Sequence, residues 1–133
     1  ATRAFDLNFP TIACANPSQI SSEQTFIGVS SQDADCITST FNKKSHPEFF
    51  VGAIHLDSDS CNSTNIFNSN AGTDSFVEVL LSDAASNIVY GTILESDKVG
   101  FDLRTHDFEM IVGENGHNGD NTGTPYYFYV SLR

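Results

Sequence analysis

Histidine, carboxylate and asparagine are the side chains here that could hold a cation or move a proton. They concentrate in two stretches. Residues 114–125 read ENGHNGDNTGTP, with His117 between the carboxylates Glu114 and Asp120. Calcium takes about six to eight oxygens, often from carboxylates at alternating positions. Here Asn115, His117 and Gly119 occupy that alternation, so the helix–loop–helix calcium pattern fails. Glu114 and Asp120, helped by Asn115, Asn118 and Asn121, make a low-affinity calcium site at most. Gly116, Gly119 and Gly123 suit a long hairpin loop better. In that role Asn115, His117, Asn118, Asp120 and Asn121 form a contact surface for a ligand or partner rather than a reaction centre.

The second stretch is HLDSDSCNSTN, residues 55–65. Asp57 and Asp59 stand two apart at a strand end, which is more often a solvated turn than a cation site. If the loop at 57–59 met the one at 114–120 at one end of the domain, Asp57, Asp59, Glu114 and Asp120 would share one weak calcium ion. No other cofactor is expected.

An enzyme reading is weaker. His46, Glu48, Arg104 and His117 could be drawn together as acid and base of a metal-free ribonuclease. No motif supports this. The chain lacks Gly-x-Ser-x-Gly and any cysteine in a catalytic signature. It also carries six Lys and Arg against seventeen Asp and Glu, a net charge of −11. That charge repels a polyanionic substrate, and it excludes nucleic acid as a partner for want of a basic stripe. Anionic membrane is disfavoured for the same reason. No run approaches the ~18 apolar residues that span a bilayer, so no membrane insertion is expected.

The cysteines are Cys14, Cys36 and Cys61. With the sequon Asn62-Ser63-Thr64 they point to an oxidising compartment and to a secreted chain, glycosylated at Asn62. The opening ATRAFDLNF, without Met, fits a mature form after removal of a leader. One disulfide and one leftover thiol are expected. Cys14 with Cys36, or Cys36 with Cys61, would close a short loop, and spacing does not choose between them.

The elements that must position these residues repeat every two residues rather than every 3.6. Residues 4–9, 99–104 and 107–112 alternate apolar and polar, as half-buried strands do. Residues 48–56, 75–81 and 87–94 are apolar on both faces and suit covered central strands. Residues 25–31 and 36–42 are short, β-branched and also read as strands. The best helical candidate is one turn within 17–24, opened by Pro17 or Ser18. Pairing 99–104 with 107–112 around Thr105-His106 sets Leu103 opposite Phe108, Phe101 opposite Met110 and Val99 opposite Val112. It also sets Asp102 opposite Glu109. In the last run, 125–133, Tyr126, Phe128, Val130 and Leu132 face inward. Tyr127 and Tyr129 face out as binding groups for sugar or protein.

The sequence therefore predicts an all-β single domain over 1–133, an antiparallel β-sandwich or barrel of roughly eight to ten short strands. Its expected function is that of a secreted, non-catalytic interaction protein of effector, elicitor or toxin type. It would present loops and a sheet edge or face to a protein or glycan on another cell. A lectin-like or calcium-assisted small-ligand module is the alternative, and a small hydrolase or ribonuclease the third. The odd cysteine or an unpaired edge strand is the route by which two copies would join.

Overall fold

The computed structural model describes residues 7–68, 74–113 and 126–130. The described chain is mostly antiparallel strands with two helices. After a 3-10 turn (Phe9–Thr11) come β1 (Ala13–Cys14), α1 (Pro17–Phe26) and α2 (Ile37–Thr40). The strands β2 (Phe49–Val51), β3 (Ile54–Leu56), β4 (Ser63–Phe67), β5 (Asp74–Ser82) and β6 (Ile88–Thr92) follow. The last two are β7 (Lys98–Val99) and β8 (Thr105–His106).

β5 is the spine. Its residues Asp74 to Val79 pair with β4, and Leu81 and Ser82 pair with β1 on the same side. β6 pairs with Glu78 to Ser82 along the other side. Because strand side chains alternate faces, β5 feeds two cores. Leu80 joins Ala15, Ile20, Ile27, Ile37 and Phe41 beneath the helices. Val79 and Leu81 join Ile12, Leu56 and Cys61 on the opposite face, with β2 and β3 packed over them. Full burial of each such Phe, Leu or Ile contributes about 1.5–3 kcal/mol.

Several expectations need correction. Residues 25–31 and 36–42 are not strands. α1 begins in a reciprocal cap: the Asn16 side chain accepts from Gln19 N at 3.0 Å, and Gln19 Oε1 accepts from Asn16 N at 2.9 Å. Pro17 follows at the first helical position, so the expected single turn extends to ten residues, through Phe26. Gln24, buried in α1, accepts from Thr38 N and Thr38 Oγ1, both at 2.7 Å, and ties α2 to α1. Burial of Ile27, Ile37 and Phe41 against Leu80 overrides their strand propensity. Of the expected strand 4–9, residues 7–9 lead into the 3-10 turn instead.

Residues 48–56 form a hairpin rather than one central strand. Gly52, at φ 58°, opens a two-residue turn between β2 and β3. β4, in a Ser- and Asn-rich stretch, was not anticipated. The pairing of 99–104 with 107–112 is not adopted. Instead Lys98 pairs with His106 and Val99 with Thr105, around a five-residue loop. Local polar bonds hold that loop. Arg104 N donates to Asp102 Oδ1 at 3.0 Å, and Phe101 N donates to Glu109 Oε1 at 2.9 Å. Such side-chain acceptors compete with a strand ladder for the same donors. Residues 107–113 and 126–130 pair in no sheet among the described residues. Phe128 and Val130, expected inside, are 71% and 69% exposed.

The disulfide joins Cys14 to Cys61, neither of the two weighed loops, and Cys36 is a buried free thiol. β1 pairs beside β5, and Cys61 just precedes β4 on the same side of β5, so the fold brings these two together. Cys36 Sγ instead caps α2, accepting from Ser39 N at 3.4 Å. No helix among the described residues is long and apolar enough to cross a membrane.

Candidate functional site

On the side of β5 away from β4, the main sheet ends at β6, whose residues are all half-buried. Bonds from Ile93 N to Val77 O and from Asp83 N to Asn87 O fix the phase of the β5–β6 ladder. Val89 and Gly91 therefore bond to β5, and the main-chain groups of Ile88, Tyr90 and Thr92 point outward. Among the described residues no backbone group pairs with them. Gly91 has no side chain to spare: a Cβ there would lie 3.3 Å from both Val79 and Leu81.

A cleft of about 1450 Å³ runs along this edge. Val79, Leu81 and Val89 line its floor, and Phe49, Phe50 and Val51 of β2 form one wall. Phe108, Met110 and Val112 line another side, and residues 126–130 cross near them. Its aromatic groups are well exposed, Phe26 by 65% and Phe50 by 40%. Tyr127 and Tyr129 are 48% and 44% exposed and line the cleft together with Tyr126, Phe128 and Val130. Tyr129 meets Phe9 edge-on at 4.9 Å. Among the described residues, the charged ones lining the cleft are Glu23 and Glu48, and no Lys, Arg or His does. Burial raises the Glu23 carboxyl above its ordinary value.

Behind β6 lies a polar anchor. Glu78 is fully buried, and one of its oxygens accepts from Ile111 N at 2.8 Å. Its other oxygen, Oε1, is buried with no hydrogen-bond partner. Burial pushes the carboxyl up to about 8, against the lowering effect of the Ile111 bond. Thr92 Oγ1 donates to Glu109 O at 3.0 Å, and the Tyr126 hydroxyl donates to Gly113 O. Burial also raises the Tyr90 phenol, whose ring meets Phe41 and Tyr126.

The sequence-derived sites divide. Glu114, Asn115, His117, Asn118, Asp120 and Asn121 lie outside the described residues. Asp57 and Asp59 lie on the turn after β3. Asp59, at φ 58°, is taken up by exchange with His46: His46 N donates to its Oδ1 at 3.0 Å, and Asp59 N donates to His46 O at 3.0 Å. Asp57 Oδ1 lies 3.5 Å from His55 Nδ1, while Glu48 Oε2 lies 3.1 Å from the opposite nitrogen, Nε2. His46 is buried within its loop. Its Nε2 accepts from Cys61 N at 2.9 Å, which leaves Nδ1 to donate to Pro47 O at 2.8 Å. Asn62 is half-buried, and its main-chain oxygen accepts from Leu80 N.

A third group was missed. Asp102, His106 and Glu109 each place one ligand atom within 4.8 Å of the others. The expected hairpin already set Asp102 opposite Glu109, and the five-residue loop adds His106 to them. Hydrogen bonds from His106 and from Arg104 N hold the Asp102 carboxyl below its ordinary value. No family model matches the chain, no curated protein matches it, and no solved structure matches its fold.

Proposed function

We propose that this chain is an extracellular, non-catalytic binding protein. It takes an extended apolar segment of a partner protein, carrying a basic residue, along the outer edge of β6. The unpaired main-chain groups of Ile88, Tyr90 and Thr92 beside the aromatic cleft carry this reading. An open edge is a template for strand addition, in which main-chain bonds supply affinity and flanking pockets supply specificity. The volume exceeds the roughly 300–1,000 Å³ of small-molecule pockets, which favours a peptide segment. Glu23 and Glu48, on a chain of net charge −11, favour a basic residue in that segment. The disulfide and the sequon at Asn62 support the oxidising compartment. A partner strand laid on β6 would widen the sheet by one strand.

Selection from a displayed random-peptide library tests the proposal. Wild type should enrich alternating apolar peptides that contain Lys or Arg. Phe128→Ser should weaken them roughly tenfold by removing an aromatic contact. Ile88→Pro removes an outward N–H at the first position of an edge strand, where proline is tolerated, and should act similarly. Glu48→Lys should erase the preference for basic residues. The proposal fails if nothing is enriched, if acidic peptides are selected, or if Ile88→Pro binds as wild type does. A concentration-dependent dimer lost in Ile88→Pro would overturn the partner in favour of a second copy.

A further inference from the structure

The loop between β7 and β8 gathers three ligand-type side chains and leaves one buried carboxylate oxygen among them without a hydrogen bond. Asp102 Oδ1 lies 2.8 Å from His106 Nε2. Glu109 is fixed beside them through Oε1, which accepts from Phe101 N at 2.9 Å. Its other oxygen, Oε2, is buried and has no hydrogen-bond partner. A buried carboxylate oxygen without a partner is unfavourable, and this one belongs to a carboxylate facing a histidine and a second carboxylate. Gly100 makes the approach feasible, because a Cβ there would overlap the Glu109 carboxylate and the His106 ring. The loop backbone is internally braced, with Gly100 N donating to Arg104 O at 2.8 Å and Leu103 N to Gly100 O at 3.1 Å.

We propose that Asp102, His106 and Glu109 bind one divalent transition-metal ion, zinc being the best fit. One imidazole nitrogen and two carboxylates are a zinc-type donor set, whereas calcium takes oxygen alone and more of it. Bonds of about 2.0 Å place tetrahedral ligands roughly 3.3 Å apart. The three ligand atoms, already within 4.8 Å, reach that spacing by side-chain rotation over a fixed backbone. Asp102 is exposed, so the ion enters from solvent and keeps a fourth position for water. Zinc satisfies the orphaned Glu109 oxygen, and through the Thr92 bond to Glu109 O it braces the chain that leads into the cleft wall.

Titration of the full chain with zinc alone, followed by calorimetry and by the histidine ring signals in proton NMR, tests this. One equivalent should bind, and the His106 ring should shift while the His55 ring does not. Asp102→Asn, His106→Ala and Glu109→Gln should each weaken binding at least about tenfold. His55→Ala should leave it unchanged, and calcium should not compete. Absence of binding would show an exposed His–Asp pair only and overturn the proposal. So would a shift at His55, or retention of zinc by His106→Ala. The NMR reading on the unaltered chain decides the matter even if a variant were to misfold.

Discussion

Two hairpins hang from one sheet, and each carries a histidine between two carboxylates. In β2–β3 the strands run straight into a two-residue turn, and His55 is sandwiched: Glu48 meets Nε2 and Asp57 meets Nδ1. Carboxylates on opposite ring nitrogens point at opposite edges of the ring and share no centre. In β7–β8 only two residue pairs form before the chain turns through 100–104, and Asp102, His106 and Glu109 converge. The residue types are the same, so the backbone decides which trio can act together. Anchoring differs as well. β2–β3 is seated by Phe49, Val51, Ile54 and Leu56 around the Cys14–Cys61 bridge. β7–β8 is tied by polar bonds: Glu95 N to Asp107 O, Thr92 Oγ1 to Glu109 O, and Ile111 N to the buried Glu78.

The largest effect should come from the polar anchor. The folded-state carboxyl of Glu78 sits near 8 and the unfolded one near 4.5. Below about pH 4.5 both states hold the proton, and Glu78 adds no pH dependence. As pH rises toward 8 the unfolded chain releases it first, so folding stability falls. At about 1.4 kcal/mol per pH unit the loss is on the order of 4–5 kcal/mol. Asp83 works in the opposite direction at the acid end. Burial alone would raise it, but hydrogen bonds from the Asn87 side chain and from Asn87, Asn8 and Ala85 main chain outweigh this and hold it low. Its contribution is lost only as pH falls through the acid range. Urea unfolding at pH 5 and pH 8 reads Glu78, with a smaller contribution of the same sign from the raised Glu23 carboxyl. Wild type should be less stable at pH 8, and Glu78→Gln should remove most of that difference. Equal wild-type stability at the two values would dissolve the contrast in anchoring.

Next in size is the covalent anchor. Cys14→Ser with Cys61→Ser opens a bridge spanning 47 residues and should lower stability by about 2–4 kcal/mol. Amides of β2–β3 should lose protection in native-state hydrogen exchange before those of β7–β8. Loss in the reverse order, or a reductant-insensitive wild type, would show that the bridge does not seat the first hairpin.

This contrast also explains what could be read from sequence. β5 was legible because Phe76, Val79, Leu80 and Leu81 are covered on both faces, and β6, half-buried throughout, because its run stays apolar beside it. The hairpin register at 99–112 was not. Val99, Phe101, Leu103 and Phe108 alternate cleanly, yet all four are at least 41% exposed. Their pattern was read as burial, whereas hydrogen bonds to Asp102 and Glu109 fix the loop and hold Leu103 at φ 64°. α1 carried a legible start in Asn16-Pro17-Ser18-Gln19, but its weak amphipathic pattern hid its length. Of the trio, Asp102 and Glu109 face each other in the expected hairpin as well; His106 joins them because it pairs with Lys98 instead of forming the turn. Among the described residues of 125–133 the expected alternation is not adopted either: Tyr127 and Tyr129, expected to face out, are less exposed than Phe128 and Val130, expected to face in.

The smallest effects should separate two glycines. Gly52 sits at φ 58° with open space around it, so Gly52→Ala meets backbone strain alone, about 1–2 kcal/mol. Gly100 is not at positive φ, and a Cβ there meets the Glu109 carboxylate and the edge of the His106 ring. Glu109 can swing aside, so Gly100→Ala should change stability by less than about 1 kcal/mol. The swing breaks the bond from Phe101 N and takes Glu109 away from His106. Gly52→Ala should therefore lower the unfolding midpoint and leave zinc binding intact, while Gly100→Ala should barely move the midpoint and weaken zinc binding. If Gly100→Ala binds zinc as wild type does, the convergence of the second trio does not depend on the close approach at Gly100. If both substitutions act alike, the two hairpins differ in anchoring but not in the chemistry their backbones permit.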